Sequence, residues 1–209
     1  MTLVDSDGQA MLPWLDSDGN VHDSNPFWAS LAGMTGAVRL DCNYIYDPVP
    51  RESLTGGIWR ALRKSMARVE RELHSPLILR PIVAADYPRI EQLALDWAGD
   101  SEIYDPEVMM GYLLNGPHWG VCTCFSTRLL GVVAWDTNFK FVNFRYCVVD
   151  GTGPVGLDEY TRWLFWDWVK KTFPTGAQIN DGGGLDREGL HHYKQKLNPT
   201  LKFNIWSKL

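Results

Sequence analysis

Residues 178–199 read QINDGGGLDREGLHHYKQKLNP, and this stretch decides how the end of the chain folds. Its order predicts a short strand, a glycine turn and a helix that stops at Asn198-Pro199. Consecutive glycines let the backbone approach a ligand or another strand closely. Because a helix begins directly after them, its free N–H groups and positive dipole end point back at the turn. The stretch therefore predicts a turn that suits a ligand.

One lysine of this helix stands out by its position. Leu190, Tyr193 and Leu197 share one face at spacings of three and four, and Lys194 lies inside that apolar stripe. Lys196 falls on the other side, where a solvated lysine belongs. A lysine in an apolar stripe either extends its stem over the apolar surface or meets an anion, and the helix alone leaves both readings open.

Composition sets the class of protein. The chain has 209 residues, 45% hydrophobic and 22% charged, which predicts a globular protein with a sizeable core. No apolar run approaches the length of a membrane span, and the N-terminus has no signal-like segment, so we expect a cytoplasmic protein without a membrane span. The net charge of −5 weighs against broad nucleic-acid binding, although residues 60–71 supply a local basic patch.

The elements follow a recognisable order. Alternation predicts a strand at residues 40–46, and apolar spacing predicts a basic helix at residues 57–73. From residue 77 the predicted order is β-α-α-β-β-β-α-β-α-β, with an antiparallel meander at residues 119–149 and an apolar helix from residue 157 to about 173. The predicted fold class is α/β, with a mixed sheet flanked by helices.

That order resembles the GNAT acyltransferase fold, and two motifs sharpen the resemblance. Asn180-Asp181-Gly182-Gly183, then Leu190 to Lys194 and Asn198-Pro199, resemble the "N-x-G … L-x-x-[FY]-K … P" ending of phosphatidylglycerol lysyltransferase C-terminal-type domains and the related Fem peptidyltransferases. Tyr44-Ile45-Tyr46, Leu54-Thr55-Gly56 and residues 59–64 resemble that family's "Y-x-Y … L-x-G … Y-x-x-K-R-N" segment, with Leu62 and Lys64 departing from its Lys and Asn.

The resemblance implies a division of the chain. The family usually has two tandem GNAT-like halves. Here it implies a shortened GNAT-like N-terminal segment of strands and the basic helix at residues 1–75, and a GNAT-like acyltransferase domain at residues 76–209.

The resemblance also implies a donor site and an acceptor site. In GNAT proteins a loop between a strand and the next helix holds the CoA pyrophosphate on backbone N–H groups, and residues 151–156 stand at that place. That stretch lacks the usual basic first residue, and Pro154 removes one donor. The cofactor-binding residues we predict are Val149, Gly151, Thr152, Gly153, Gly156 and Asn180. The substrate-binding residues we predict are Tyr46, Arg63, Trp135, Arg145, Gly182 and Gly183.

Acyl transfer needs a deprotonated nucleophile, a stabilised oxyanion and a proton for the leaving group. We predict that Lys194 stabilises negative charge and that Tyr193 supplies the proton, unless it packs in the core. Asp181 is the candidate general base, with Asp150 as a second. We predict no metal, because Cys122-x-Cys124 lacks zinc-knuckle spacing and His191 and His192 diverge on a helix.

Three functions follow as hypotheses. The first is an N-acyltransferase that moves an acyl group from acetyl-CoA or another acyl-CoA to an amine. The second is transfer of an aminoacyl group from aminoacyl-tRNA to a peptide, lipid or modified nucleotide, with the basic helix on RNA phosphates. The third is a non-catalytic binding module that has kept the fold.

Overall fold

We analysed a computed structural model of the protein, which describes residues 14–15, 21–23, 37–99, 105–115, 119–125, 128–138, 141–173, 176–183 and 187–208. The chain forms two compact units. The continuous unit is residues 47–180, and the discontinuous unit combines Met1–Tyr46 with Asp181–Leu209. The predicted separation of residues 1–75 from residues 76–209 stays a prediction.

The continuous unit is built on a mixed sheet of five strands. Their order in the sheet is β8-β7-β6-β5-β4, and only the β7–β8 pair is parallel. The strands are β4 (Ile78–Pro81), β5 (Trp119–Phe125), β6 (Arg128–Asn138), β7 (Phe141–Val149) and β8 (Gln178–Asn180). The helices are α1 (Arg60–Leu73), α2 (Tyr87–Ala98), α3 (Pro106–Asn115) and α4 (Leu157–Thr172).

Helices cover both faces of this sheet. Val132 packs with Ile90 of α2 and Met109 of α3 in one apolar cluster. A Cβ placed on the neighbouring Gly131 would lie 3.6 Å from Thr161 of α4, on the opposite face. Helix α4 packs in turn on α1, and its aromatic side chains are among the most buried of the described residues.

A bulge in β7 changes the alternation near Arg145. Ala134 pairs with Tyr146 and the next residue of β6, Trp135, pairs with Phe144, so the ladder skips Arg145. Because one extra residue reverses the alternation, Tyr146 packs with α2 and α3 whereas Phe144 contacts Phe165 of α4. Strict period-two alternation would put Arg145 on one face with Cys147, and it does not hold across the bulge.

The discontinuous unit contains an antiparallel sheet and one helix. The sheet order is β1-β2-β9-β3, so the last strand of the chain lies between two of the first. The strands are β1 (Trp14–Leu15), β2 (Val21–Asp23), β3 (Ala37–Tyr46) and β9 (Leu201–Lys208), and the helix is α5 (Glu188–Lys196). Tyr44, Ile45, Leu197 and Phe203 are buried in this unit.

The element order from residue 77 is the predicted one. Strand β5 begins and ends at the predicted residues, and the other strands and helices lie within a few residues of their predicted bounds. Asp86 precedes α2 as expected, but its carboxylate accepts from the Val83 N–H at 2.9 Å and pairs with Arg80 instead of capping the helix.

Candidate functional site

Lys194 is a buried lysine, and the anion it meets belongs to the chain itself. Only 5% of the residue is exposed. Its Nζ lies 3.5 Å from Oδ1 of Asp181 and also donates a hydrogen bond to the Asp181 carbonyl oxygen. Asp181 is itself only 4% exposed, so the pair is removed from water. Lys196, two residues on, is exposed as the helical pattern predicted. The structure thus selects the second reading of Lys194, the one in which it meets an anion.

The backbone around this pair is fixed on both sides. The Asp181 N–H donates to the Tyr44 carbonyl at 2.9 Å, and the Tyr44 N–H donates to the Gly182 carbonyl at 3.1 Å. Gly182 has φ of +61°, a conformation in which a side chain is strained. On the helix side, the buried Tyr46 hydroxyl donates to the Lys194 carbonyl at 2.9 Å. Strand β3 therefore positions both the turn and the last turn of α5.

A second contact in this unit joins Tyr44 to His191. The Tyr44 hydroxyl lies 2.8 Å from His191 Nδ1, and Cys42 Sγ lies 3.7 Å from the same nitrogen. Tyr44 is fully buried and His191 is half-buried. The sequence analysis did not include His191 in the site. Its spacing of three residues from Lys194 was the available signal, because such residues share a helix face.

Two ammonium groups lie near the Tyr44 ring. Lys194 Nζ is 6.0 Å and Lys202 Nζ 5.3 Å from the ring centroid, which is within cation–π range. With Asp181 as the opposing carboxylate, this group of side chains carries more positive than negative charge. The cluster of Tyr44, Asp181, His191, Lys194 and Lys202, called here the lysine cluster, therefore favours a ligand atom that carries or develops negative charge.

The other predicted members of this region are less informative. Tyr193 is half-buried beside Lys194, and its role as proton donor stays a prediction. Gly182 uses its carbonyl on Tyr44, and Gly183 is half-buried next to it. Tyr46 is buried and its hydroxyl donates to the Lys194 carbonyl in α5, so it positions that helix; its predicted contact with substrate stays a prediction.

In the predicted donor loop at residues 151–156, the hydrogen-bond donors of Thr152 are bound by the carboxylate of the preceding Asp150. Asp150 Oδ1 accepts from the Thr152 N–H at 3.0 Å and from the Thr152 hydroxyl at 2.6 Å. Asp150 Oδ2 accepts from Arg89 at 2.7 Å and from Arg128 at 2.8 Å. A carboxylate has about four lone-pair positions, so these four donors saturate it. The N–H of Gly153 is also used, on the Asp150 carbonyl at 2.9 Å.

Electrostatics and packing hold this loop closed around Asp150. Burial acts to raise the pKa of Asp150, but hydrogen bonds from Thr152 and Arg128 and the charge of Arg89 hold that pKa below its usual value. A Cβ on Gly153 would lie 2.7 Å from Leu157, and one on Gly156, where φ is +96°, would lie 2.8 Å from Ser65. The first turn of α4 carries Asp158 and Glu159, which disfavour a phosphate there.

Val149, Gly151, Thr152, Gly153 and Gly156 were predicted to cradle a pyrophosphate. In the structure the N–H groups of Thr152 and Gly153 donate to Asp150 of the same loop. The prediction required these groups to bind the pyrophosphate of a ligand. Asp150 is likewise ion-paired with two arginines, which removes it as a convenient general base.

Asn180 and Arg145 belong to a polar row that crosses three strands. Asn180 donates to the Asn143 side-chain oxygen at 3.2 Å, and Asn143 donates to Asp136 Oδ1 at 2.6 Å. Arg145 Nε donates to Asp136 Oδ2 at 2.6 Å, with 45% of its side chain exposed. The charge on Arg145 is thus balanced by a neighbouring strand, and its contact with a ligand stays a prediction.

Trp135 and Arg63 were predicted to bind substrate, and that role stays a prediction. Trp135 is 6% exposed, and its ring packs against Trp168, Phe165 and Phe173 at centroid distances of 5.0, 6.0 and 6.0 Å. These are core contacts, so its aromatic surface is used inside the protein. Arg63 donates to the Leu54 carbonyl at 2.6 Å and lines a surface cavity of about 320 Å³ with Arg51 and Met66.

Across the described ranges, no group of three or more His, Cys, Asp or Glu side chains is arranged to hold a metal ion. Within the same residues, no helix has the length and hydropathy needed to cross a membrane.

No family model and no curated protein matches the sequence, but solved structures do. L-PGS from Bacillus licheniformis matches with a TM-score of 0.63 at 12% identity, over 81% of this chain and 60% of that one. The C-terminal domain of a putative lysylphosphatidylglycerol synthetase from Agrobacterium fabrum matches with 0.59 at 14%, over 90% and 66%. A conserved protein of unknown function from Bacteroides thetaiotaomicron matches with 0.62 at 17%, over 82% and 61%.

These likenesses are likenesses of fold. The chain spans about 60–66% of the length of these structures. They confirm the predicted α/β fold class with a mixed sheet flanked by helices, and the predicted resemblance in fold to the C-terminal domain of a lysylphosphatidylglycerol synthetase. Fold alone does not define a reaction.

Proposed function

We propose that the protein is a transferase that moves an acyl or aminoacyl group from a carrier to an amine. The observation that carries the proposal is the buried Lys194, held on Asp181 at a glycine turn, in a fold shared with two lysylphosphatidylglycerol synthetase structures. Burying a lysine is costly unless its charge is paired with an opposite charge. Charged groups in such buried settings concentrate at functional sites.

The chemistry asks for a group that stabilises negative charge on the donor. When the amine attacks the carbonyl carbon of the donor, the carbonyl oxygen becomes an oxyanion. Lys194 and Lys202 supply positive charge in the lysine cluster, and preorganised charge of this kind usually contributes the largest part of catalysis. Asp181 keeps Lys194 in one orientation, so little reorganisation is needed when the charge develops.

Two donors are candidates. An acyl-CoA is the donor expected first from the GNAT-like sequence pattern. A diphosphate at residues 151–156 is disfavoured because the Thr152 and Gly153 N–H groups are already bound to Asp150, and because the acidic first turn of α4 would repel it. This observation favours the second candidate, an aminoacyl ester carried by tRNA.

A local surface suits that second donor. Exposed Arg60, Arg63, Lys64 and Arg71 lie along α1, while Arg68 is paired with Glu72 at 3.0 Å. Such a surface can contact phosphates although the whole protein is acidic, and its affinity would fall steeply with salt.

The test begins with binding. The full chain is heated with acetyl-CoA, CoA or bulk tRNA, and a ligand that binds the folded state raises the melting temperature by mass action. We expect a shift with tRNA that salt abolishes and none with CoA; a shift with acetyl-CoA at equal salt would restore the first donor. No shift with any of the three would favour a non-catalytic module.

Turnover then tests the site. Transfer of a labelled acyl or aminoacyl group to a primary amine is compared in Lys194→Gln and in the matched control Lys196→Gln. We expect the loss of transfer in the first variant only, because Lys196 is exposed. Equal rates in the two variants would remove Lys194 from the reaction, and circular dichroism checks that both remain folded.

A further inference from the structure

We infer that His191 is the general base of the transfer, with Tyr44 as its positioning residue. The inference rests on the proposed function and adds to it the group that takes the proton from the attacking amine. It starts from the 2.8 Å contact between the Tyr44 hydroxyl and His191 Nδ1.

The carboxylates are poor candidates for this task. Asp181 is 4% exposed and its carboxylate is already engaged by Lys194 Nζ at 3.5 Å, so it is poorly placed to reach an attacking amine. Asp150 is saturated by Thr152, Arg89 and Arg128, which hold its pKa low. A general base works best when its pKa is near the working pH, and an imidazole is the side chain that ordinarily meets this condition.

The surroundings of His191 fix its ring. Nδ1 faces Tyr44 and Cys42 from β3, so Nε2 lies on the opposite edge of the ring. Tyr44 is fully buried and its backbone is bonded to Asp181 and Gly182, which gives the imidazole a rigid partner. The half-buried His191 shares a helix face with Lys194, three residues on.

Among the described residues, charged and titratable groups near the ring come from three elements. Strand β3 contributes the Tyr44 phenol and the Cys42 thiol, and β9 contributes Lys202, which stands over the Tyr44 ring. Helix α5 contributes Glu188 and Lys194 one turn away on either side, and Arg187 lies just before the helix. Asp181 is reached through Lys194.

In the proposed transfer, His191 moves one proton from the amine to the leaving group. In the proposed ground state the 2.8 Å contact is an Nδ1–H group donating a hydrogen bond to the Tyr44 oxygen, which leaves Nε2 as the proton acceptor. The neutral amine attacks the donor carbonyl, a C–N bond forms, and Nε2 takes one proton from that nitrogen. The C–O bond of an ester, or the C–S bond of a thioester, breaks as the carbonyl re-forms. The leaving oxygen or sulfur then receives the proton from the imidazolium.

Adjacent histidines provide a matched pair of variants. His191→Gln and His192→Gln change neighbouring positions of α5, but His192 is exposed. We expect His191→Gln to lower kcat about 100-fold or more, the scale of general-base catalysis, and to change the pH dependence of kcat. His192→Gln should keep both the rate and the pH dependence.

A second measurement needs no substrate. Nuclear magnetic resonance of histidine labelled with nitrogen-15 in the full chain reports which ring nitrogen carries the proton. We expect the Nδ1–H form for His191, and Tyr44→Phe should change that signal while leaving His192 unaffected. The Nε2–H form would overturn the inference, because that nitrogen could not then accept a proton.

The outcomes separate the two proposals. Transfer by the wild type with an unchanged rate and pH profile in His191→Gln overturns the role of His191 and leaves the transferase proposal standing. Absence of transfer by the wild type with acetyl-CoA and with aminoacyl-tRNA overturns the transferase proposal, and the role of His191 falls with it. If His191→Gln does not fold, the Tyr44→Phe pH profile and the resonance experiment decide.

Discussion

Asp150 and Asp181 each follow a strand directly and each precede a glycine, yet they use their charge in different ways. Asp181 meets one lysine, which reaches it from the helix that follows in the chain. Asp150 meets two arginines and the Thr152 of its own loop, so its oxygens are fully used. The same local sequence pattern thus gives the lysine cluster in one unit. In the other unit it gives a loop whose N–H groups are satisfied by its own aspartate.

The difference shows what decides whether a glycine turn is open to a ligand. Glycine supplies only the backbone freedom. At Asp150 the N–H groups that could bind a phosphate are already satisfied by the preceding carboxylate. At Asp181 the turn is bonded to the backbone of β3, and the side-chain charge faces a lysine.

The largest expected effect is at Lys194. Lys194→Ala leaves the buried Asp181 carboxylate without its ammonium partner, so we expect a loss of about 3–5 kcal/mol in the free energy of unfolding. Lys196→Ala should change it by less than about 0.5 kcal/mol, as is usual for an exposed position. Urea denaturation measures both. Asp181→Asn with Lys194→Met should recover most of the loss, and a double variant as unstable as the single one would contradict the pairing.

Asp150→Asn should lower the free energy of unfolding by less than Lys194→Ala does, and the size of this loss should depend on pH. Asp150→Asn removes the charge from four hydrogen bonds, and we expect a loss of about 2 kcal/mol at pH 7. Because the pKa of Asp150 is lowered by folding, its contribution is complete above the unfolded value of about 3.9 and is lost as the pH falls through the folded value.

Comparing the free energy of unfolding at pH 7 and pH 3 therefore tests whether folding stabilises the charged Asp150 carboxylate. The wild type should lose more stability on acidification than Asp150→Asn does. If the wild type and Asp150→Asn lose the same free energy of unfolding between pH 7 and pH 3, the Asp150 carboxylate is not stabilised by its partners.

Tyr46→Phe tests how the lysine cluster is positioned. The change removes one hydrogen bond to the buried Lys194 carbonyl, so we expect a loss of about 1 kcal/mol. Thermal unfolding measures it. A loss as large as that of Lys194→Ala would show that Tyr46, and not the ion pair, holds the end of α5.

The smallest effect is expected at Arg128. Its side chain is 61% exposed, and Arg89 stays on the same Asp150 oxygen when Arg128 is changed to Gln. We expect a loss of no more than about 1 kcal/mol, typical of an exposed ion pair. A loss above that of Asp150→Asn would show that Arg128 has a further role. Arg89→Gln, where the side chain is 37% exposed, should cost more than Arg128→Gln.

Local patterns predicted the elements well but not the partners across the fold. Alternation and the Asn-Pro stop gave β5, β8 and α5, and helical spacing placed Lys194 in the apolar stripe. Arg89 and Arg128 are 61 and 22 residues away from Asp150, and Tyr44 is 147 residues away from His191. A single sequence contains no signal that brings such distant residues together, so the filled loop and the Tyr44–His191 contact were missed.

The bulge at Arg145 shows a second limit of local rules. The charge of Arg145 is paired by Asp136 on β6, while its predicted contact with substrate stays a prediction. Period-two reasoning did not foresee the extra residue that reverses the side-chain alternation, because β7 contains neither glycine nor proline at that point.

The central place of β9 in the discontinuous unit has a consequence for synthesis on the ribosome. Strands β2 and β3 both pair with β9, which is made about 160 residues after β3, or roughly 10–30 seconds at the usual rate of translation. Residues 47–180 can all have left the ribosome before that strand appears. The edges of β2 and β3 that pair with β9 must therefore wait unpaired, and a chaperone bound during this interval would protect them from wrong pairing.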